Sequence, residues 1–301
     1  MKMIILGVFL TVLSIYSGCG LKEGNIVKKD SNKTISQTSA LSWYNVEDSA
    51  AKYIELSDNL KNISGLCFTD DGRLFCDSDD SSGVSQLDTQ NGKILKTFFA
   101  GDGYKNHPDR IKSSFEDLSI VGNRFFIMNS HGKIYECKEG TEGEYVQYTI
   151  YKTKLSSENN VEGLCYDPES NSLLLACKDY PGDGYEKSKT IYTFSLSTMT
   201  MSDTPRFALP TGKIKRNTIE REFRPSGIAR QSITGTFFVL ASHGHTIVEI
   251  SKDGEIINQK DLNEEIHPQP EGITFSKENT LYISDEGKAE HPRLTAYIKL
   301  K

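Results

Sequence analysis

VEGLCYDPESNSLLLACKD, residues 161–179, reads as two short strands around a polar turn. An apolar residue, an acid, a glycine and a leucine open the first strand. Asp167, Pro168, Ser170 and Asn171 supply turn chemistry, and the apolar run from Leu173 to Cys177 forms the second. Four more segments keep this order: ISGLCFTDDGRLFCDSDD (63–80), FEDLSIVGNRFFIMNSHG (115–132), PSGIARQSITGTFFVLASHG (225–244) and PEGITFSKENTLYISDEGK (270–288). Their first strands start at Ser64, Glu116, Glu162, Ser226 and Glu271, at spacings of 52, 46, 64 and 45 residues. Self-similarity on that scale marks a repeat architecture.

Working outward, each unit carries further strand signals. VSQLD (84–88), the turn Thr89-Gln90-Asn91-Gly92 and KILKTFF (93–99) make a hairpin, and Asn-Gly is a strong local turn signal. TIVEIS (246–251) and EIINQKDL (255–262) repeat it around Lys252-Asp253-Gly254. The second unit offers KIYECK and EYVQYTIY; the third offers TIYTFSL and a weaker RFALP. Four strands per unit at this period describe a β-propeller blade. The fifth unit has three strands, EGITF, TLYIS and RLTAYIKL, and KYIEL (52–56), ahead of the first repeat, supplies the fourth. The expected fold is therefore all-β, a five-bladed β-propeller closed by an N-terminal strand, which removes two open sheet edges. Six blades is the alternative, with room for it in the long third unit.

Strand direction places the chemistry. The first strand of a blade, A, runs antiparallel to the second, B, so the start of A and the end of B share one rim around the axis. The A starts give one ring, Ser64, Glu116, Glu162, Ser226 and Glu271, and the B ends give another, Asp79, His131, Asp179, His243 and Glu286. Like charges brought together raise a pKa or recruit a cation. Oxygen ligands favour Ca²⁺, with Mg²⁺ or another divalent ion and plain blade-to-blade hydrogen bonding as alternatives. Asp117 stands where other repeats have Gly, so it can replace or supplement Glu116. His131 and His243, both in Ser-His-Gly, are candidates for the rim as ligands or bases, or as bonds to a neighbouring strand. Two loops containing Gly-Asp-Gly-Tyr are candidate ligand walls, with Tyr104, His107, Arg110, Tyr180, Tyr185 and Lys187 as contacts.

Other chemistries are missing from the sequence. There is no G-x-S-x-G, H-E-x-x-H, phosphate loop or strand-linked G-x-G-x-x-G. DSDDSSG (77–83) begins like an EF-hand loop, but its Gly falls one position late. Cys67, Cys76, Cys137, Cys165 and Cys177 fall in strands or at their ends and read as small buried thiols. The alternative is a pair across a hairpin, Cys67 with Cys76 or Cys165 with Cys177.

The N-terminal residues read as an address. Residues 1–18, with Lys2 and an apolar run from Met3 to Ile15, have a signal-peptide layout, and the run is short for a membrane span. Tyr16-Ser17-Gly18-Cys19 resembles a bacterial lipobox, departing from it at Tyr16, which makes Cys19 the expected lipidation site. Residues 19–42 then form a polar, lipid-anchored flexible tether, and 43–301 the propeller domain. The chain has 301 residues and a net charge of −6. Because the tether and signal are basic, 43–301 holds 30 basic against 39 acidic residues. That balance excludes a nucleic-acid partner and favours cations at the surface, and 14 Tyr with 14 Phe excludes a largely disordered chain.

The segments ISGL, FEDLSI, VEGLCYD, PSGIA and PEGITF, with the strand ends NSHG, ACKD, ASHG and SDEG, resemble the SdiA-regulated (YjiK-like) proteins over residues 52–301. The resemblance implies a five-bladed propeller with a calcium site and membrane association in the envelope of a Gram-negative bacterium. Carried over by motif, its calcium candidates are Glu116, Asp117, Glu162 and Glu271. Ser64 and Ser226 hold the equivalent positions without charge. The expected function is a calcium-binding, lipid-anchored module for a small molecule, glycan or protein. A calcium-dependent hydrolase of lactones, esters or phosphoesters is the alternative.

Overall fold

In the computed structural model, residues 39–79, 81–101, 114–215, 222–288 and 290–300 are described, with backbone only at 81 and 82. The signal segment, Cys19, the polar stretch to residue 38, and Tyr104, His107 and Arg110 lie outside them.

Each repeat becomes one antiparallel sheet. β1 (Tyr53–Glu55) precedes the first repeat and belongs to the last sheet. Blade 1 holds β2 (Ile63–Phe68), β3 (Leu74–Ser78), β4 (Ser81–Leu87) and β5 (Ile94–Ala100). Blade 2 holds β6 (Phe115–Val121), β7 (Arg124–Asn129) and β8 (Ile134–Lys138). After them, β9 (Tyr145–Val146) leaves to join blade 1 and β10 (Tyr148–Tyr151) completes blade 2. Blade 3 holds β11 (Val161–Asp167), β12 (Ser172–Cys177), β13 (Ser188–Ser195), β14 (Thr200–Met201) and β15 (Phe207–Pro210). Blade 4 holds β16 (Arg224–Arg230), β17 (Phe237–His243), β18 (Thr246–Ile250) and β19 (Ile256–Asp261). Blade 5 holds β20 (Pro270–Phe275), β21 (Leu281–Asp285) and β22 (Arg293–Tyr297), and β1 pairs with β22 as the sequence predicts.

Two departures concern outer strands. EYVQYTIY, read above as one strand, divides at exposed Gln147. Tyr145 stacks on Phe99 and pairs in parallel with blade 1, while Tyr148–Tyr151 returns to β8. The long third repeat supplies its outer edge in two pieces, β14 and β15, both paired with β13. Its extra length therefore makes no sixth blade.

The A strands β2, β6, β11, β16 and β20 pack side by side in a closed circle. At Gly65 a Cβ would fall 2.2 Å from Asp117 Oδ1 of the next blade, and at Gly272 it would fall 2.3 Å from the carbonyl oxygen of Ser64. Glycine in the repeat signature thus permits adjacent A strands to approach backbone to backbone. Five apolar clusters fill the five blade-to-blade interfaces. Between blades 1 and 2, for instance, Phe75, Phe98 and Phe125 meet edge to face. All five described cysteines are free thiols, buried except for half-buried Cys67.

Ser39, Ala40 and Leu41, within the stretch that composition assigns to the tether, are packed on the body. Leu41, Tyr44 and Val46 are buried against blades 4 and 5. Fully buried Glu249 of β18 accepts hydrogen bonds from Ser39 Oγ (2.6 Å), Leu41 N (2.9 Å) and Ala40 N (3.0 Å).

Candidate functional site: the acidic axial mouth

Every A–B pair carries a register shift at the same place. Phe115 faces Asn129 and Asp117 faces Met128, so Glu116 is the extra residue; Glu162, Ser226 and Glu271 hold that place in blades 3, 4 and 5. In blade 1 the extra residue falls between Ile63 and Leu66. A bulge bends the strand and re-aims the side chain of the inserted residue. The ring of A-strand starts is therefore a ring of bulges at one mouth of the axis.

Charges from four blades face one another there. Glu116 is pushed up to about 9 by burial, then by the charges of Glu162, Asp79 and Asp77, with Lys178 opposing. Burial raises Glu271 to about 8, where Lys178 works against the neighbouring charges of Glu162 and Glu286. Asp77 rises to about 7, through burial against the pull of backbone N–H donors. Glu162 and Glu286 are also raised, burial first in each. Two of these carboxylates keep an oxygen that is buried and has no hydrogen-bond partner among the described residues, Asp77 Oδ2 and Asp79 Oδ1. Asp77 is 1% exposed, and its other oxygen accepts from Gly65 N at 2.7 Å.

An amide two residues before the ring glutamate fixes it in two blades. Asn160 Nδ2 donates to Glu162 Oε1 (2.9 Å) and Asp179 Oδ2 (3.1 Å). Gln269 Nε2 donates to Glu271 Oε1 (3.2 Å) and Glu286 Oε2 (2.6 Å). Each amide thus ties a ring glutamate to the acid ending the neighbouring B strand. The sequence reading missed these amides, although Asn or Gln at that position was there to be seen in three repeats, Asn62 included.

It also missed the cations. Lys178 Nζ lies 2.5 Å from Glu162 Oε2. Burial works against this ammonium, but Glu162 and Glu271 outweigh it and its pKa lies above the ordinary lysine value. Arg224 of blade 4 pairs with Asp179 of blade 3. Lys288 reaches Glu286 at 3.4 Å.

The other predicted site residues divide by surroundings. Asp117 is 4% exposed, and both its oxygens accept backbone N–H groups, Leu118 N at 2.8 Å and Leu164 N of blade 3 at 2.6 Å. It performs the blade-to-blade bonding raised above as an alternative to metal binding, and so does Ser226, whose hydroxyl donates to Pro270 O at 2.9 Å. His131 and His243 are exposed. Tyr180 and Lys187 are exposed and Tyr185 half-buried.

Among the described residues, no three His, Cys, Asp or Glu side chains are gathered closely enough to hold a metal as they stand. Deeper along the A strands, Leu66, Leu118, Leu164, Ile228 and Ile273 line an axial hollow of about 280 Å³. A larger hollow of about 630 Å³ lies between blades 1 and 2 at the outer edge. Its acids are already engaged, Glu136 with Arg124, Glu139 with Arg73 and Lys96, and Glu144 with the Thr141 amide and hydroxyl. The mouth, with its unserved oxygens, is the better candidate.

A family model described as SdiA-regulated matches residues 133–289, just over half of the chain. None of the curated proteins compared matches it. Among solved structures, the glutaminyl cyclase of Myxococcus xanthus is similar at 14% identity over 82% of this chain and 93% of that one, with a TM-score of 0.54. The PQQ-bound aldose sugar dehydrogenase of Streptomyces coelicolor is similar at 11% identity over 82% and 96%, with a TM-score of 0.50. At such identities the likeness is one of fold alone.

Proposed function

The chain belongs to the SdiA-regulated family, and from that premise and the charge at its axial mouth we propose a calcium-binding module of the cell envelope. In this reading the mouth takes Ca²⁺, the rim around it takes a small molecule, glycan or protein, and a lipid on Cys19 holds the chain to a membrane. One observation carries the cation: carboxylates from separate blades are buried together at one mouth, with oxygens of Asp77 and Asp79 left unserved. A buried carboxylate oxygen without a donor is costly, and a cation is the species that satisfies it.

The donor set supports the choice of ion. Every candidate ligand is a hard oxygen, as Ca²⁺ prefers, and its flexible coordination suits side chains drawn in from several blades. Glu116, Glu162 and Glu271 would hold it, with Asp77, Asp79 and Glu286 around them. Asp117, already engaged by two backbone amides, would contribute its charge. Bound there, the ion would tie the blades together and could present open positions to an oxygen-bearing ligand on the rim.

Calorimetry and melting curves on the protein test this at two pH values. Raised carboxyl pKa values contribute stability that is fully present below the unfolded values near 4 and is lost as pH rises through the folded ones. The loss begins near pH 4 and is complete at about 7 for Asp77, about 8 for Glu271 and about 9 for Glu116. The chelated protein is therefore expected to melt lower at pH 9 than at pH 6, and Ca²⁺ to raise the melting temperature more at pH 9. At a hundredfold excess over Kd the gain is about 2.7 kcal/mol, roughly 5–10 °C in a domain of this size. Glu116→Gln with Glu271→Gln should abolish most of it. Identical curves with chelator and with Ca²⁺, and no heat of binding, would dismiss the cation. The anchor has its own test: Cys19→Ser should move the protein from the membrane fraction to the soluble one, and an unchanged distribution would remove lipidation from the reading.

A further inference from the structure

We infer that Lys178 is a built-in competitor at the mouth: its ammonium holds Glu162 until a divalent cation takes its place, and it must swing out for that cation to be held. This rests on the mouth being a cation site.

The geometry sets the two cations against each other. Lys178 Nζ stands 2.5 Å from Glu162 Oε2, and Ca²⁺ sits about 2.3–2.6 Å from a carboxylate oxygen. Two positive centres cannot occupy that position together. The backbone of Lys178 is fixed on both sides. Its N–H donates to Asn160 O at 2.9 Å, and its carbonyl accepts Lys189 Nζ at 2.8 Å. The side chain is accordingly delivered to the mouth by a rigid strand end. Its four-carbon stem is flexible and 18% exposed, so it has a way out.

The rest of the mouth is arranged for the exchange. Asn160 holds the other oxygen of Glu162, so the carboxylate keeps its place when the ammonium leaves. Asp77 Oδ2, on a residue 1% exposed, has no partner for an ammonium or a proton donor to serve, and Asp79 Oδ1 is in the same position. Lys178 offers one charge where several carboxylates wait, and a divalent ion would reach oxygens that it leaves unserved. The position is particular to this repeat. Ser78, Ser130 and Ser242 stand at the equivalent place in blades 1, 2 and 4, and Asp285 in blade 5.

Calorimetric titration of the full chain with CaCl₂, wild type against Lys178→Met, reads the competition. The methionine keeps the stem and removes the charge. Ca²⁺ should bind it about tenfold or more tightly, because the binding-competent state no longer has to displace an internal ligand. The chelated variant should also melt lower than the wild type. In the wild type, acetylation of Lys178 by an N-hydroxysuccinimide ester, followed by peptide mass spectrometry, should rise several-fold on adding Ca²⁺. Equal affinity in both proteins, or labelling that Ca²⁺ leaves unchanged, would overturn the competition while leaving the cation site standing. No binding by either protein would overturn both. Binding by the methionine variant alone would mean that the lysine wins outright, which supports the inference. Should Lys178→Met fail to fold, the labelling of the wild type decides.

Discussion

Gly272→Ala is expected to lower the melting temperature by roughly 6–12 °C. The added Cβ would meet Ser64 O at 2.3 Å and Ser284 Oγ at 2.4 Å. The first of these atoms is backbone in the neighbouring blade and cannot rotate away. Relief requires separating blades 5 and 1 where the ring closes, which costs at the upper end of overpacking changes, about 3 kcal/mol. In a domain of this size each kcal/mol is worth roughly 2–4 °C. Glu271 stands next in sequence, so its bulge would shift as well, and any Ca²⁺ affinity should weaken along with stability. Gly212→Ala is the control, because nothing lies within 4 Å of the Cβ it would add. If both variants melt within about 2 °C of wild type, the close approach of A strands is not what the signature glycine provides.

That glycine shows how far the sequence was legible. Five copies of one pattern gave blade number and strand direction, because a blade is built from local hairpins whose turns and apolar runs are written in adjacent residues. The closing strand was equally open to inference, since a three-stranded final repeat needs a partner and Tyr53–Glu55 was available. Residues that depend on a neighbouring blade were harder to read. Asp117 reads as a ligand candidate because it is an acid in a ring of acids; that its oxygens also accept Leu118 N and the amide of Leu164 one blade away is not written nearby. Nothing in the 115–132 segment announces that distant donor.

Within the mouth, the ring glutamates could be placed by repeat alignment alone, but the bulges that turn them inward could not. A bulge is a mismatch in length between two paired strands, and pairing offsets of a single residue leave no compositional trace. Lys178 is different, because a lysine among three serines and an aspartate at one repeat position was a visible departure. Tyr145–Val146 marks the opposite limit. Alternating Tyr and Val predict a strand correctly but say nothing about which blade's edge will receive it.

The N-terminal clasp yields the other large expected effect. Glu249→Ala should release residues 39–46 from the body and lower the melting temperature by roughly 10 °C. Its carboxylate is fully buried and gathers four donors: Ser39 Oγ, Ala40 N, Leu41 N and, from its own blade, Thr236 Oγ1 at 2.9 Å. Removing the acceptor leaves the amides of Ala40 and Leu41 without a partner, while the Ser39 and Thr236 hydroxyls keep only Asn258 and Thr234. Each buried donor left so costs about 1–3 kcal/mol unless it finds water. The segment can find water only by undocking, which pulls Leu41, Tyr44 and Val46 out of their cluster and uncovers Phe238 and Phe275, both in contact with the Tyr44 ring. Glu249→Gln should lose less, since its remaining oxygen still accepts one backbone amide while its NH2 group opposes the other. Limited proteolysis with mass analysis of the fragments reads the release directly: cuts within 39–46 in the variants, none in the wild type. Intact ends and a melting temperature within about 2 °C of wild type would mean that the apolar contacts alone hold the segment.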